Sequence, residues 1–137
     1  MHAAHPHVGG VAGGVAVDDA GRLHDDYVDR LGHGTAVTAA IREKAPSAEL
    51  FCIKVFDRAL NATGDALIAA LRWARAANVD IINLSLGTTN GAQEAALATE
   101  VDAARAMGIV IVAAGPQPDK RWLPGALPGV VRVVMDM

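Results

Sequence analysis

At 137 residues the chain is long enough for one domain, and 52% of it is hydrophobic but only 4% aromatic, so its core must be built from Ala, Val, Leu and Ile. A net charge of −3, with no run of Lys or Arg, argues against a nucleic-acid partner. No apolar run approaches the ~20 residues of a membrane span, and residues 1–6 lack the pattern of a signal peptide. We expect a single domain over residues 1–137, cytoplasmic by default, with no nucleic acid and no membrane as partner.

Apolar strand patterns and helical patterns alternate along the chain. Strands are predicted over residues 11–17, 49–55, 79–84, 109–113 and 130–134, and helices over residues 33–44, 66–77 and 91–107. Thr63 can cap the second helix and Gly108 can end the third, whereas residues 18–32 are polar and predict a loop. Alternating apolar strands and helices predict an α/β fold, a three-layer sandwich with a mostly parallel sheet. Cys52, the single cysteine, is expected to be a buried small hydrophobe.

His33 lies between two glycines at the start of the first predicted helix. Neither neighbour carries a Cβ that would block a reacting group. The partial positive charge of a helix N-terminus disfavours the imidazolium form, which keeps the ring usable as a base near neutral pH. His33 is therefore a candidate general base, and the alternative is an incidental histidine in a capped turn.

A second signal is the position of two segments relative to the predicted sheet. The segment Ser85, Leu86 and Gly87 follows one predicted strand, and Gly115 follows the next. Parallel sheets carry their working loops at the carboxyl ends of the strands. The sequence therefore predicts a site at this edge of the sheet, with His33 within reach of Ser85.

These segments resemble the subtilases, the subtilisin-like serine peptidases. GHGTAVTAAI (32–41) is similar to the family's histidine motif, and HPHV (5–8) with the strand after it is similar to the HP turn. NLSLG (83–87) resembles the substrate-binding segment, IVIVAAG (109–115) the strand entering the oxyanion loop, and LPGALPGVVRVV (123–134) the stretch beyond that loop. The resemblance runs over almost the whole chain and implies a partial subtilisin-like fold and serine endopeptidase activity.

The resemblance also implies roles for particular residues. His33 would be the general base, and Ser85, Leu86 and Gly87 would line the cleft where a peptide or protein substrate pairs as an added strand. No organic cofactor and no metal site are implied; calcium follows only by analogy with the family, and no site for it is identified. The oligomeric state is left open.

Two members of the family's catalytic triad have no clear match. In the family the acidic residue lies just before the HP turn, and the corresponding position here would precede Met1. The alternative acid is Asp19, in VAVDDAG (15–21). The other interpretation of Asp19 is a solvated turn aspartate. The nucleophile motif GTS-x-[AS] does not occur in the sequence, and neither Ser47 nor Ser85 has the strand–turn–helix setting of a nucleophile. We therefore expect the isolated chain to be inactive.

The oxyanion loop departs from the family as well. The family has AAGN, whereas here Gly115 is followed by Pro116, which offers no hydrogen-bond donor. Gln117 could supply a carboxamide from one position later, or it is a surface residue of a Pro-rich loop. This departure favours a second hypothesis, a catalytically dead subtilase-like domain that binds peptides or a protein partner. An unrelated α/β ligand-binding domain is a third, which the order of the motifs disfavours.

The resemblance finally implies that the acid-bearing strand lies inside the sheet. Without it, two neighbouring strands keep unpaired backbone groups, and each buried unpaired group costs about 1–3 kcal/mol. We expect the chain to be poorly stable alone. An upstream extension, a rearranged sheet with residues 11–17 in the gap, or a strand from a partner chain would each relieve this.

Overall fold

The computed structural model describes residues 13–24, 41, 43–55, 62–85, 87–115 and 122–133. The strands in this part of the chain are β1 (Gly13–Val17), β2 (Leu23–His24), β3 (Phe51–Val55), β4 (Ile81–Leu84), β5 (Val110–Ala114) and β6 (Val131–Val133). The helices are α1 (Gly64–Ala76) and α2 (Glu94–Ala106), the latter preceded by a short 3-10 helix, Gly91–Gln93.

The described strands form two three-stranded sheets, not one continuous sheet. The first has the order β2-β1-β3, with β1 parallel to β3 and antiparallel to β2. The second has the order β4-β5-β6, and both of its ladders are parallel. The prediction of an α/β fold with mostly parallel strands is confirmed. Strands β3 and β4 each end their sheet, and no ladder joins them within the described residues.

Helix α1 bridges the two sheets. It begins where the Oγ1 of Thr63 accepts a hydrogen bond of 3.1 Å from the backbone N–H of Ala66, which confirms the predicted cap. Leu67 and Leu71 are fully buried in the larger core cluster, which includes β4 and β5. Ala66 and Ala70 pack in a second cluster formed with β1. One helix therefore contributes to both hydrophobic cores.

Helix α2 packs beside α1 and buries one charged residue. Its buried face carries Leu97, Val101 and Ala104, as the helical spacing predicts. The carboxylate of Glu100, which is 5% exposed, accepts hydrogen bonds from Arg72 Nε at 2.8 Å and Arg75 Nη2 at 2.9 Å. These bonds compensate the burial of the charge. As predicted, the helix ends before Gly108, whose φ is 83°.

The polar segment predicted as a loop over residues 18–32 contains strand β2, so that prediction is wrong at residues 23 and 24. The side chain of Asp18 organises the turn, because Oδ1 accepts from the backbone N–H of Ala20 at 3.0 Å and of Arg22 at 2.9 Å. Asp18 Oδ2 lies 2.9 Å from Nε2 of His24. This side-chain turn returns the chain against β1.

Helices α1 and α2 cover one face of the sheets, the face that carries Ile82 and Ile111. The opposite face of the β4-β5-β6 sheet exposes Ile81, Val110, Val131 and Val133. The helix predicted for residues 33–44, which would supply a third layer, falls mostly outside the described residues; residues 41, 43 and 44 are helical. Within the described part of the chain, no helix has the length and apolar character needed to cross a membrane.

Candidate substrate cleft

The two segments predicted to share a sheet edge lie at the same edge. Strands β4 and β5 are parallel neighbours, with Leu84 opposite Ala113, so Ser85 and Gly115 both follow carboxyl ends. The backbone N–H of Gly115 donates to the carbonyl of Val133 at 2.8 Å. The segment entering the predicted oxyanion loop is therefore held by β6.

The side chain of Ser85 contacts that of Asn83, two residues earlier in the chain. Its hydroxyl is half-buried and accepts a hydrogen bond of 3.1 Å from the Asn83 side-chain amide. An amide N–H is a donor and cannot take the hydroxyl proton. The role of Ser85 as a substrate-binding residue, and not the nucleophile, stays a prediction.

Gly87 is fixed between two other segments. Its carbonyl accepts from the backbone N–H of Ala62 at 2.8 Å, and the next residue, Thr88, exchanges backbone hydrogen bonds of 2.9 and 2.8 Å with Leu123. A Cβ at Gly87 would lie 2.5 Å from the carbonyl oxygen of Leu123 and 2.6 Å from Nε1 of Trp122. Only glycine fits this position without displacing the backbone opposite.

The stretch that contains Trp122 and Leu123, residues 122–130, also approaches the carboxyl end of β5. A Cβ placed on Gly125 would overlap the carbonyl oxygen of Ala114, so the absence of a side chain permits this close approach. Residues 83–87, 109–115 and 123–133 resemble separate family motifs in the sequence. The structure brings their described parts into contact at one edge of the β4-β5-β6 sheet.

Asp19, the alternative acid, lies in the exposed turn after β1. The contact that the structure gives it is through the backbone, where its carbonyl accepts a hydrogen bond of 2.8 Å from Oγ1 of Thr63. The carboxylate that organises this turn belongs to Asp18. Hydrogen bonds from the His24 ring and from the backbone N–H groups of Arg22 and Ala20 lower the pKa of Asp18 below its usual value. A catalytic role for Asp19 stays a prediction.

His33, Leu86 and Gln117 lie outside the described residues. The predictions that His33 approaches Ser85, and that Gln117 reaches the oxyanion position, therefore stay predictions. Sequence reasoning missed Thr88 and Trp122, which hold Gly87 in place. Their local sequence offers little signal, because the contact joins residues more than thirty positions apart.

Comparison with known proteins supports the same origin for these motifs. A family model described as "Subtilase family" matches residues 7–131. Subtilisin DY from Bacillus licheniformis is 38% identical over 95 residues, covering 63% of this chain and 34% of that protein. A thermostable alkaline protease from Halalkalibacterium halodurans is 32% identical over 142 positions, covering 96% of this chain and 38% of that protein. The chain thus spans about a third of the length of these curated relatives.

Solved structures are similar as well. The prenylagaramide maturation protease PagA has a TM-score of 0.58 and 26% sequence identity, with 67% of this chain and 35% of that chain covered. The S41 psychrophilic protease has a TM-score of 0.55 and covers 89% of this chain and 52% of that chain; at 24% identity the likeness concerns the fold alone. Because the family model spans nearly the whole sequence and the matching motifs converge at one sheet edge, the chain belongs to the subtilase family.

Proposed function

We propose that this chain is the part of a subtilisin-like serine endopeptidase that supplies the general base and one wall of the substrate cleft. The observation that carries the proposal is the convergence of Ser85 and Gly87, the Ala114–Gly115 segment and the 122–130 stretch at the carboxyl ends of β4 and β5. The substrate class is a peptide or protein, bound in extended form along residues 85–87.

The hydrogen bonds around Gly87 limit where a substrate strand can pair. The carbonyl of Gly87 and both backbone polar groups of Thr88 are already engaged by Ala62 and Leu123. Pairing with substrate then falls on the residues closer to β4, beginning with Ser85. A peptide there would extend the sheet edge as an added strand, with main-chain hydrogen bonds giving affinity.

In this proposal His33 takes the proton from a serine hydroxyl as the oxygen attacks the scissile carbonyl, and then gives that proton to the leaving amine. An oriented carboxylate and oxyanion donors complete such a site. The family's serine motif does not occur among these 137 residues. Hydrolysis therefore requires polypeptide beyond this sequence.

Two variants of a longer protein that includes this chain test the proposal. In hydrolysis of a fluorogenic peptide, His33→Ala is expected to lower kcat/KM by at least about a thousandfold, as loss of a triad member does in serine peptidases. His24→Ala is the matched control, because its ring contacts Asp18 in the β1–β2 hairpin, and its kcat/KM should stay within about twofold of the parent.

The 137-residue chain alone should show no labelling by a fluorophosphonate probe, since it lacks the nucleophile motif. Labelling of a serine in this chain, abolished by His33→Ala, would contradict the proposed division of the site. Equal activity of the parent and the His33→Ala variant in the longer protein would show that His33 is not the general base.

A catalytically inactive, peptide-binding subtilase-like domain is the second candidate, and Pro116 in place of the family's asparagine favours it. The two candidates differ in the longer protein. A peptidase should turn over peptides and gain rate on Pro116→Asn, whereas a binding domain should retain peptides unchanged with either residue.

A further inference from the structure

Trp122 places its indole ring at the candidate substrate cleft, against Gly87. A Cβ placed on Gly87 would lie 2.6 Å from Nε1 and 2.8 Å from Cε2 of this ring. Trp122 is half-buried, so part of its surface is exposed to solvent. The indole therefore occupies the side of Gly87 on which any other residue would carry its side chain.

The backbone around Trp122 is anchored to both segments of the cleft. The next residue, Leu123, exchanges two backbone hydrogen bonds with Thr88, which follows β4. Two residues further along, Gly125 approaches the end of β5 so closely that a Cβ there would overlap the carbonyl of Ala114. The stretch 122–125 thus joins the segments that follow β4 and β5, and it carries the indole at the end near Gly87.

The proposed function determines which substrate residue meets this ring. A peptide pairs in extended form beginning at Ser85, and the carbonyl under attack lies at the loop that Gly115 enters. The residue that carries this carbonyl would then lie between the two segments. Its side chain extends to one side of the substrate strand, into the space between the segments that the stretch 122–125 closes. Trp122 therefore bounds the space that this one side chain can use.

The contact at Gly87 leaves little room for a large side chain there. A glycine in the wall of a cleft leaves space beside it, but here the indole of Trp122 fills that space. An aromatic or long aliphatic substrate side chain would have to displace the ring, and overpacking of this kind is unfavourable. A small side chain avoids this conflict.

The described cleft also lacks a partner for a charged substrate side chain. Its residues that the structure describes are all uncharged: Asn83, Ser85, Gly87, Thr88, Ala114, Gly115 and 122–125. A substrate carboxylate or ammonium group placed among them would lose hydration without gaining an ion pair. Size and charge therefore favour the same class of substrate residue.

We propose that Trp122 is a specificity-determining residue, which restricts the substrate residue whose carbonyl is attacked to small, uncharged side chains such as those of glycine, alanine and serine. This proposal rests on the proposed function, because it takes the position of the substrate from it. It adds to that function the substrate class and the residue that selects it.

The test uses fluorogenic tetrapeptides that differ only in the residue before the scissile bond, which is alanine, leucine or phenylalanine. With a longer protein that includes this chain, kcat/KM for the alanine peptide should exceed that for the phenylalanine peptide at least about tenfold. Trp122→Ala should lower this ratio at least about tenfold, mainly through faster cleavage of the phenylalanine peptide. Trp122→Phe, which keeps a smaller ring, should give an intermediate ratio.

The matched control is the other tryptophan of the chain. Trp73 lies on α1, where its ring packs edge-on against that of Phe51. Trp73→Ala should leave the alanine-to-phenylalanine ratio within about twofold of the parent's. Because both rates of a ratio come from the same sample, a loss of folded protein in either variant does not change it.

Three results would overturn the proposal. They are a parent that cleaves the phenylalanine peptide as well as the alanine peptide, a ratio that Trp122→Ala leaves unchanged, and a ratio that Trp73→Ala lowers as much as Trp122→Ala does. The second would make Trp122 a structural residue, even if the variant cleaved every peptide more slowly.

Failure of the proposed function gives a different result, in which the longer protein cleaves none of the three peptides. The same ratio is then measured from the dissociation constants of these peptides by isothermal titration calorimetry. Tighter binding of the alanine peptide, lost in Trp122→Ala, would support the selection by Trp122 without catalysis. Equal dissociation constants, or no binding of any peptide up to about 1 mM, would overturn it.

Discussion

The two sheets differ in the core that the described residues form around them. The β4-β5-β6 sheet lies against both helices, and the large buried side chains Leu67, Leu71, Leu97 and Ile111 belong to its cluster. Within the described part of the chain, the cluster at the β2-β1-β3 sheet has two valines and two alanines as its buried members, and α1 is the described helix that packs there. Since burial of apolar area is the main stabilising term, the β4-β5-β6 sheet should contribute most of the stability of the described part of the chain. The candidate cleft lies at the carboxyl ends of β4 and β5, in this more stable sheet.

The sharpest test of this difference is a cavity in the larger core. Leu97 is fully buried, so Leu97→Ala should lower the free energy of unfolding by about 3–5 kcal/mol. Val17, also fully buried but in the smaller cluster, should cost about 1–2 kcal/mol when replaced by Ala. Urea denaturation followed by circular dichroism measures both. Equal costs would contradict this difference, because Val17→Ala removes fewer carbon atoms than Leu97→Ala and would then cost more for each atom removed.

The next largest effect should come from the buried carboxylate between the helices. Glu100→Gln removes the charge that pairs with Arg72 and Arg75, and we expect a loss of about 1–3 kcal/mol. Arg72 is 65% exposed, so Arg72→Ala should cost less than about 1 kcal/mol. If Arg72→Ala were as costly as Glu100→Gln in the same urea denaturation, the ion pair, not the burial of Glu100, would dominate.

An effect of similar size should come from crowding at the cleft. Gly87→Ala must push Leu123 or Trp122 away and should destabilise the chain by about 1–3 kcal/mol. Gly91→Ala is the matched control, because a Cβ there meets no atom within 4 Å. Thermal melts of the two variants compare them directly. A Gly87→Ala variant as stable as Gly91→Ala would mean that the 122–130 stretch yields without cost.

The smallest effect concerns the hairpin of the β2-β1-β3 sheet. The pKa of Asp18 is lowered in the folded chain, first by the His24 hydrogen bond and then by that of the Arg22 backbone. Its contribution is therefore complete above the ordinary carboxyl pKa of 3.8 and is lost as the pH falls through the lower folded value. The hydrogen-exchange protection factors of Ala20 and Arg22 should fall below about pH 4, and in Asp18→Asn, whose amide oxygen accepts hydrogen bonds but does not titrate, they should not change over this pH range. Asp19→Asn, the control, should keep the parent's pH dependence.

Local chemistry predicted the elements whose signals are local. The Thr63 cap, the end of α2 at Gly108 and the buried face of α2 followed from propensity and spacing, and all are confirmed. Strand β2 was missed because two residues carry no periodic signal, and a side chain five positions earlier, Asp18, creates the turn that pairs them.

In the candidate site, too, the features with local signals were predicted and the long-range contacts were not. The common edge of Ser85 and Gly115 was predictable, because parallel strands align their carboxyl ends. The contact of Thr88 and Gly87 with residues 122 and 123 was not, since it depends on how a distant segment packs. We predicted one mostly parallel sheet, and the family resemblance implied only that two neighbouring strands would keep unpaired backbone groups. The division of the described strands into two sheets was not predicted, because hydrophobic alternation within a strand does not state which strand will lie beside it.

Neighbouring residues of helix α1 pack in different hydrophobic clusters. Ala70 belongs to the core of one sheet and Leu71 to the core of the other, although they are adjacent in the chain. A random library over this helix would therefore return two unrelated classes of suppressor, interleaved with helical periodicity, each restoring a different sheet. Both classes of position lie on one rigid helix. A rotation of α1 that improves its packing against one sheet would therefore weaken its packing against the other, so we expect compensating substitutions to occur in pairs.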